Sequence, residues 1–445
     1  MDLNAIVEDQ NPWWREPTRR TAGRFPVRRD LQGVLLEHVL DLEDRRATVV
    51  LGPRQVGKTT LVLQTADDLL DRGWPPHNLT YFDFSDDRIL QPVTARQVVD
   101  AHPVGFDGEQ PRALLLDEIH LAPNWPSWLK QAVDRGGGRD RIVVTDSAAS
   151  LLREAGRESG QGRWDEHRLE GLSFREFARL MADEEESVEE AWRRTPNLLE
   201  RYLATGGFPE HVAATDPQSV RRRLRSDIVE RAILRDLAGH VDRVEPVRDL
   251  FVYLVQESGA IFSAQGASNV LGPDVRSVRR WISLLEDTFL LVSLPKHAQR
   301  ASTGLKNPQP KIFAADHGLI SAFSVLPMQE PALRAQAFEA VVFRHLRDVA
   351  RKLGGELSYF RLRQDLEIDF VLETAEERLA LEVTAARQLK AKKLNRLRNA
   401  HNALKADRSF LLHGALIEGE PEGLTALPLQ RFLLDPLDSL TGNAR

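Results

Sequence analysis

The 445 residues include no cysteine. That absence excludes disulfides, thiolate zinc sites, iron–sulfur ligation and a cysteine nucleophile, and it fits a reducing cytosol. No stretch approaches the roughly 20 apolar residues that span a bilayer, and the longest apolar runs are strand-sized. The opening MDLNAIVEDQNPWWREPTRR lacks the apolar core of a secretory leader. A cytoplasmic protein with no membrane partner is therefore expected. Charge of one sign is also in short supply. The chain has 60 Lys and Arg against 66 Asp and Glu, a net charge of -6. This argues against a uniformly basic coat for nucleic acid and leaves local basic strips open. The composition, 42% hydrophobic and 28% charged, is that of a soluble globular chain, and the length suggests two to four domains.

What is present is an alternation of short apolar runs with helical patterns. ATVVLG, LTYFDF (Leu79–Phe84), ALLLDE (Ala113–Glu118) and RIVVTD (Arg141–Asp146) read as buried strands. Patterns such as TTLVLQTADDLLDRG lie between them. Strands alternating with helices predict an α/β fold with a parallel, doubly wound sheet. The first thirty residues, rich in Arg and carrying Trp13 and Trp14, look like an arm that docks elsewhere. Residues 173–240 are helical in character, with an acidic stretch at Asp183–Glu190. Farther on, a helix over Ala335–Leu353 precedes ELSYFRLR, EIDFVLET and RLALEVTA, which read as a β-meander followed by a basic helix.

Gly52-Pro53-Arg54-Gln55-Val56-Gly57-Lys58-Thr59 fits G-x-x-x-x-G-K-[ST], after a strand and before a helix, with Thr60 following. Such a turn curls backbone N–H groups around phosphate oxygens, and the helix N-terminus adds partial positive charge. Lys58 can reach the β- and γ-phosphates of ATP, and the Thr59 hydroxyl can ligate Mg²⁺. Leu114-Leu115-Leu116-Asp117-Glu118 places two carboxylates at a strand end. Asp117 is expected to hold the Mg²⁺ through its water shell, and Glu118 to act as general base on the attacking water. In P-loop ATPases of the AAA type a polar residue at the next strand end senses the γ-phosphate, a role open to Thr145 or Ser147. Arg163 is a candidate for stabilising transition-state charge, in its own chain or a neighbour's. A solvated surface arginine is the plainer reading.

These motifs, with Leu114–Ile119, Gly162–Arg163, Ser173–Phe177, Tyr202-Leu203-Ala204-Thr205-Gly206-Gly207-Phe208-Pro209, Ile233–Asp236 and Lys311–Leu319, resemble a large prokaryotic group of AAA-type ATPases known mostly as ATP-binding proteins. The resemblance covers nearly the whole chain. It implies an arm over 1–30, a P-loop AAA-type core over 31–180, a helical lid over 181–240, a winged helix over 241–325 and a restriction-endonuclease-like α/β domain over 326–445. AAA-type relatives often form rings, so it also implies a homo-oligomer, a hexameric ring among the candidates. One residue departs from the pattern: Asp146 stands where the group usually has glycine.

Within 246–295 the sequence reads as helix–turn–helix, the second helix starting near Pro273 or Asp274, with Arg276, Arg279 and Arg280 on a basic face suited to DNA phosphates. A winged helix used only for protein contacts is the alternative. Two further basic strips, Arg221–Arg225 and the group Lys390, Lys392, Lys393, Arg396 and Arg398, could neutralise phosphates or form solvated helix faces. The nuclease resemblance implies metal-binding acids at Glu339, Asp369 and Glu382. Thr384 occupies the place of the expected lysine, so a retired nuclease fold is expected, with Lys390 as a substitute if cleavage survives. Three functions follow: an ATP-hydrolysing DNA-binding protein acting on branched or fork-like DNA, a nucleotide-dependent switch recruiting protein partners, or an ATP-regulated metal-dependent nuclease.

Overall fold

The structure is a computed structural model. It describes residues 2–22, 25, 27–101, 103, 105–135, 139–147, 162–182, 187, 189, 190, 193, 198–214, 216–237, 239–297, 309–363, 366–386, 391–414 and 424–442. Most of the acidic stretch 183–190, and Lys390, lie outside the described residues. The chain divides into two compact units, one of residues 1–170 with 287–289, the other of 171–286 with 290–445. None of the described helices is long and apolar enough to cross a membrane.

The first unit contains α1 (Leu3–Gln10), α2 (Leu31–Leu40), β1 (Ala47–Leu51), α3 (Lys58–Asp71), β2 (Leu79–Asp83), α4 (Ala95–Asp100), β3 (Arg112–Asp117), α5 (Trp125–Arg135), β4 (Asp140–Asp146) and β5 (Trp164–Arg168). The strands form one parallel sheet in the order β2-β3-β4-β1-β5. Buried residues run along β1 and β3 without alternation, as expected of strands covered on both faces. Parallel register sets Leu51 beside Asp146, and Asp83 beside Asp117. The loop after β1 and the acids ending β3 and β4 therefore share one edge of the sheet.

The N-terminal arm docks within this same unit, on β2, an edge strand. Asn11 accepts from Tyr81 N at 2.7 Å and donates Nδ2 to Tyr81 O at 2.8 Å. Gln10 accepts from Asp83 N at 2.8 Å, and the indoles of Trp13 and Trp14 both donate to Leu79 O, at 3.0 and 2.9 Å. Side-chain amides and indoles thus satisfy the strand edge where a sixth strand would otherwise pair.

The second unit opens with α6 (Phe174–Met181), α7 (Leu198–Thr205) and α8 (Pro217–Arg223), the last continuing as π-helical turns over 224–230 and 232–236. Next come α9 (Glu245–Gln256), α10 (Ala264–Leu271), α11 (Val275–Asp287) and an antiparallel pair, β6 (Leu291–Leu294) with β7 (Lys311–Ala314). After α12 (His317–Phe323) and the 23-residue α13 (Pro331–Leu353), β8 (Glu356–Arg363), β9 (Leu366–Glu373) and β10 (Arg378–Thr384) form an antiparallel meander. A crossover through α14 (Ala391–Leu404) adds β11 (Arg408–His413) and β12 (Thr425–Pro428) in parallel, followed by α15 (Leu429–Leu434) and α16 (Pro436–Thr441).

Two of the motifs behind the resemblance meet Gly171 and Leu172 in one buried knot of this unit. Asp316 accepts from Gly207 N and Gly318 N, each at 2.8 Å. Leu172 N donates to Gly207 O at 2.6 Å, the Tyr202 hydroxyl donates to Leu172 O at 2.6 Å, and Arg344 donates to Gly171 O at 2.7 Å. The glycines are needed for closeness: a Cβ on Gly206 or Gly207 would sit 2.3 or 2.8 Å from an Asp316 oxygen. Beside the knot, His345 accepts from Phe174 N at 3.1 Å while its other ring nitrogen faces Val341 O at 2.7 Å. Burial, reinforced by Arg344, pushes His345 down to about 3.

Gly207→Ala should therefore destabilise the second unit by about 3 kcal/mol or more, read as a lowered unfolding transition. His345 is neutral when folded and titrates near 6.5 when unfolded. Its contribution is present above that value and is lost as pH falls toward 3. Acid unfolding should show this slope, and His345→Gln should flatten it.

Candidate nucleotide site

The phosphate loop is shaped by close backbone packing. A Cβ on Gly52 would lie 2.2 Å from Leu169 O, and Gly57 takes a φ of +100° at the start of α3. Arg29 braces the loop from behind, donating to Val56 O at 3.0 Å and Glu170 O at 2.8 Å. Lys58 is buried. Its ammonium donates to Gly52 O and Pro53 O, both at 3.0 Å, and lies 3.8 Å from Glu118 Oε1.

Asp117 is fully buried at the end of β3 and accepts from Thr145, Thr59 and, at 3.3 Å, the Tyr81 hydroxyl. Burial pushes its carboxyl up to about 6, against the lowering effect of the Thr145 and Thr59 hydroxyls. A buried carboxylate beside a threonine hydroxyl at a helix start suits a divalent cation, whose charge would reverse that shift. Glu118 follows with a φ of +50°. Its N–H donates to Thr145 Oγ1 at 3.0 Å, and its Oε2 accepts from Ser147 at 2.9 Å.

Thr145 and Arg163 take defined places on the sheet. The single hydroxyl hydrogen of Thr145 goes to Asp117, while its oxygen accepts from Glu118 N. Thr145 thereby links the two acids. Arg163 lies at the wrong edge for its own site. Its carbonyl accepts from Ala47 N at the start of β1, and its guanidinium pairs with Asp134 at 2.8 Å. At roughly 3.3 Å per residue, about 16 Å of β1 separates it from the phosphate loop. Sequence reasoning missed His120, whose Nδ1 lies 3.0 Å from Asp146 and 3.3 Å from Glu118. Burial opposes its protonation, yet Asp146 and Glu118 prevail and hold its pKa above the ordinary value. The departure at Asp146 was the available signal.

In the second unit, α11 buries Val278 and Leu285 and exposes Arg276, Arg279 and Arg280. Arg280 is engaged with His240 O at 2.7 Å. The other strips turn partly inward. Arg225 donates to Ala322 O, and Arg223 pairs with Glu210 at 3.3 Å. Lys393 reaches Glu382 at 3.1 Å, and Arg396 also bonds it. The nuclease-type acids do come together electrostatically. Burial and Asp369 push Glu339 up to about 8 and Glu382 to about 7. Their neighbours are cations of the chain itself: Lys311 lies 2.9 Å from Glu367 and 3.9 Å from Asp369. Lys393 is a described lysine at Glu382, and Lys390 lies outside the described residues.

Residues 44–178 match the family model of an AAA domain (AAA_14). Over these residues the chain is similar to AAA domains. Residues 196–330 and 334–432 match two domains of unknown function, DUF8612 and DUF4143. Together these support a prokaryotic AAA-type ATP-binding protein with a P-loop fold. An uncharacterized protein of Haemophilus influenzae is 25% identical over 343 residues, 75% of this chain and 81% of that protein. Among solved structures, a Saccharomyces cerevisiae Hsp104:casein complex shows 11% identity and a TM-score of 0.31 over 68% of this chain and 63% of that one, under two thirds of its length. The replication initiator DnaA bound to AMPPCP and single-stranded DNA shows 13% identity and a TM-score of 0.30 over 60% of this chain and 91% of that one.

Thr145→Val, which removes the hydroxyl between Asp117 and Glu118, should slow ATP turnover by about tenfold or more, and Thr145→Ser should preserve it. Steady-state phosphate release measures both.

Proposed function

We propose that the protein is an ATP-hydrolysing, DNA-binding ATPase of the AAA type that remodels branched or fork-like DNA. The observation that carries the hydrolytic part is the convergence of Lys58, Thr59, Asp117 and Glu118 at one sheet edge. The loop N–H groups from Gly52 to Thr60 receive the phosphates, and Lys58 exchanges the loop carbonyls for phosphate oxygens. Thr59 and Asp117 are the residues to hold Mg²⁺, which when bound neutralises phosphate charge. Glu118 takes the proton of the attacking water. Arg163, at the opposite edge, is assigned to a neighbouring copy's nucleotide, and this makes the active form a homo-oligomer.

The DNA part rests on Arg276 and Arg279, exposed on the second helix of the pair α10–α11, read as a winged helix with β6 and β7. The inward pairing of Lys393, Arg396 and Arg225 leaves this face as the principal candidate for phosphate contact. Cleavage is disfavoured because Lys311 faces Asp369 and Lys393 and Arg396 pair with Glu382, two of the acids that a metal would need. Glu339, Asp369 and Glu382 are read as a vestigial centre.

Lys58→Ala should abolish hydrolysis, and Glu118→Gln should trap bound ATP. Turnover by the intact protein should rise several-fold with forked or four-way DNA over single strands and duplex. Binding should fall steeply with salt and weaken in Arg276→Glu/Arg279→Glu, by about tenfold or more. A rate indifferent to every DNA form, with no loss in the charge-reversed protein, would instead favour a switch acting on protein partners.

A further inference from the structure

His120 and Asp146 flank the acid pair of β3 and take no part in the nucleotide reading above. The two oxygens of Glu118 face different groups. Oε2 accepts from Ser147 at 2.9 Å and lies 3.3 Å from His120 Nδ1, whereas Oε1 lies 3.8 Å from the Lys58 ammonium. The same His120 nitrogen lies 3.0 Å from Asp146 Oδ1. Asp146 ends β4, is wholly buried and is held by strand register opposite Leu51. His120 sits in the short turn Ile119–Leu121, pinned by the buried Ile119. One imidazole therefore lies between two carboxylates, against the Glu118 oxygen that does not face Lys58.

We propose that His120, anchored by Asp146, is a positioning residue for Glu118: together with Ser147 it holds Oε2 and leaves Oε1 turned toward the attacking water. The inference rests on the ATPase reading. In the step concerned, the water oxygen bonds to the γ-phosphorus. The bond from that phosphorus to the bridging oxygen breaks, and its electron pair stays with ADP. The water proton passes to Oε1. His120 exchanges no proton and supplies orientation as a polar contact between the two carboxylates, with no aligned hydrogen bond to Oε2. A free glutamate side chain has three rotatable bonds, and a misplacement of about 1 Å in a reacting group can cost on the order of a hundredfold in rate. Asp146 makes the anchor a feature of this chain, since the group it resembles usually has glycine there.

The test uses the full chain. His120→Ala should lower maximal ATP turnover by roughly 10–100-fold and leave the affinity for a fluorescent ADP analogue unchanged. His120→Asn carries an amide N–H near the place of Nδ1–H and should recover most of the rate. Asp146→Asn should match His120→Ala, and the double variant should be no slower than either single one, because both act through one contact. In the nucleotide-free protein, the imidazole NMR signal identified by its loss in His120→Asn should shift in Asp146→Asn and in Glu118→Gln. Wild-type turnover in His120→Ala, an equal loss of nucleotide binding, or a His120→Asn protein as slow as His120→Ala would overturn the inference. A slow Glu118→Gln beside a normal His120→Ala would overturn it alone and leave the ATPase reading intact. Absence of turnover in the wild-type protein would overturn both.

Discussion

Parallel register in the first sheet is the constraint on which the nucleotide site depends. Because β1, β3 and β4 run the same way, their carboxyl ends must fall on one edge, and the edge collects the phosphate loop, Asp117, Glu118, Thr145 and Asp146. They come from three separate stretches of the sequence, yet a single hydroxyl, that of Thr145, bonds both members of the acid pair. The same geometry assigns Arg163 elsewhere, since it precedes β5 and so lies at the opposite edge. A slip of one residue in any of the three strands would invert side chains across the sheet and disperse the site.

The second unit relies on a different device. Asp316 is a buried carboxylate stabilised by backbone N–H groups, and it draws Gly207 and Gly318 together within hydrogen-bond reach. Burying a charge this way is tolerable only when its lone pairs are met by donors. Glycines at 171, 206, 207 and 318 leave room for that approach. Motifs that look functional by their regularity are here explained by packing.

Much of the first unit was legible in the sequence. The strand runs, the phosphate loop and the acidic strand end each have a local pattern, and local patterns survive without knowledge of tertiary contacts. The helix of Ala335–Leu353 and the following meander were legible for the same reason, with the helix beginning four residues earlier at Pro331. What escaped was long-range pairing. Lys393 and Arg396 read as part of a basic helical strip until the fold brings Glu382 beneath them. The bond from the Thr145 hydroxyl to Asp117 was likewise hidden, because the two residues lie on different strands. His120 carries no signal beyond the unusual Asp146, which lies at the end of another strand.

The arm has a consequence in time as well as in space. Asn11, Trp13 and Trp14 bond to backbone atoms 70, 66 and 65 residues farther along the chain. During synthesis the arm emerges well before the strand it covers, so two amphipathic indoles await a partner that is still within the ribosome. Once β2 emerges, closure of its edge becomes a long-loop event, and a nascent chain stalled before that point would present the uncovered indoles to chaperones.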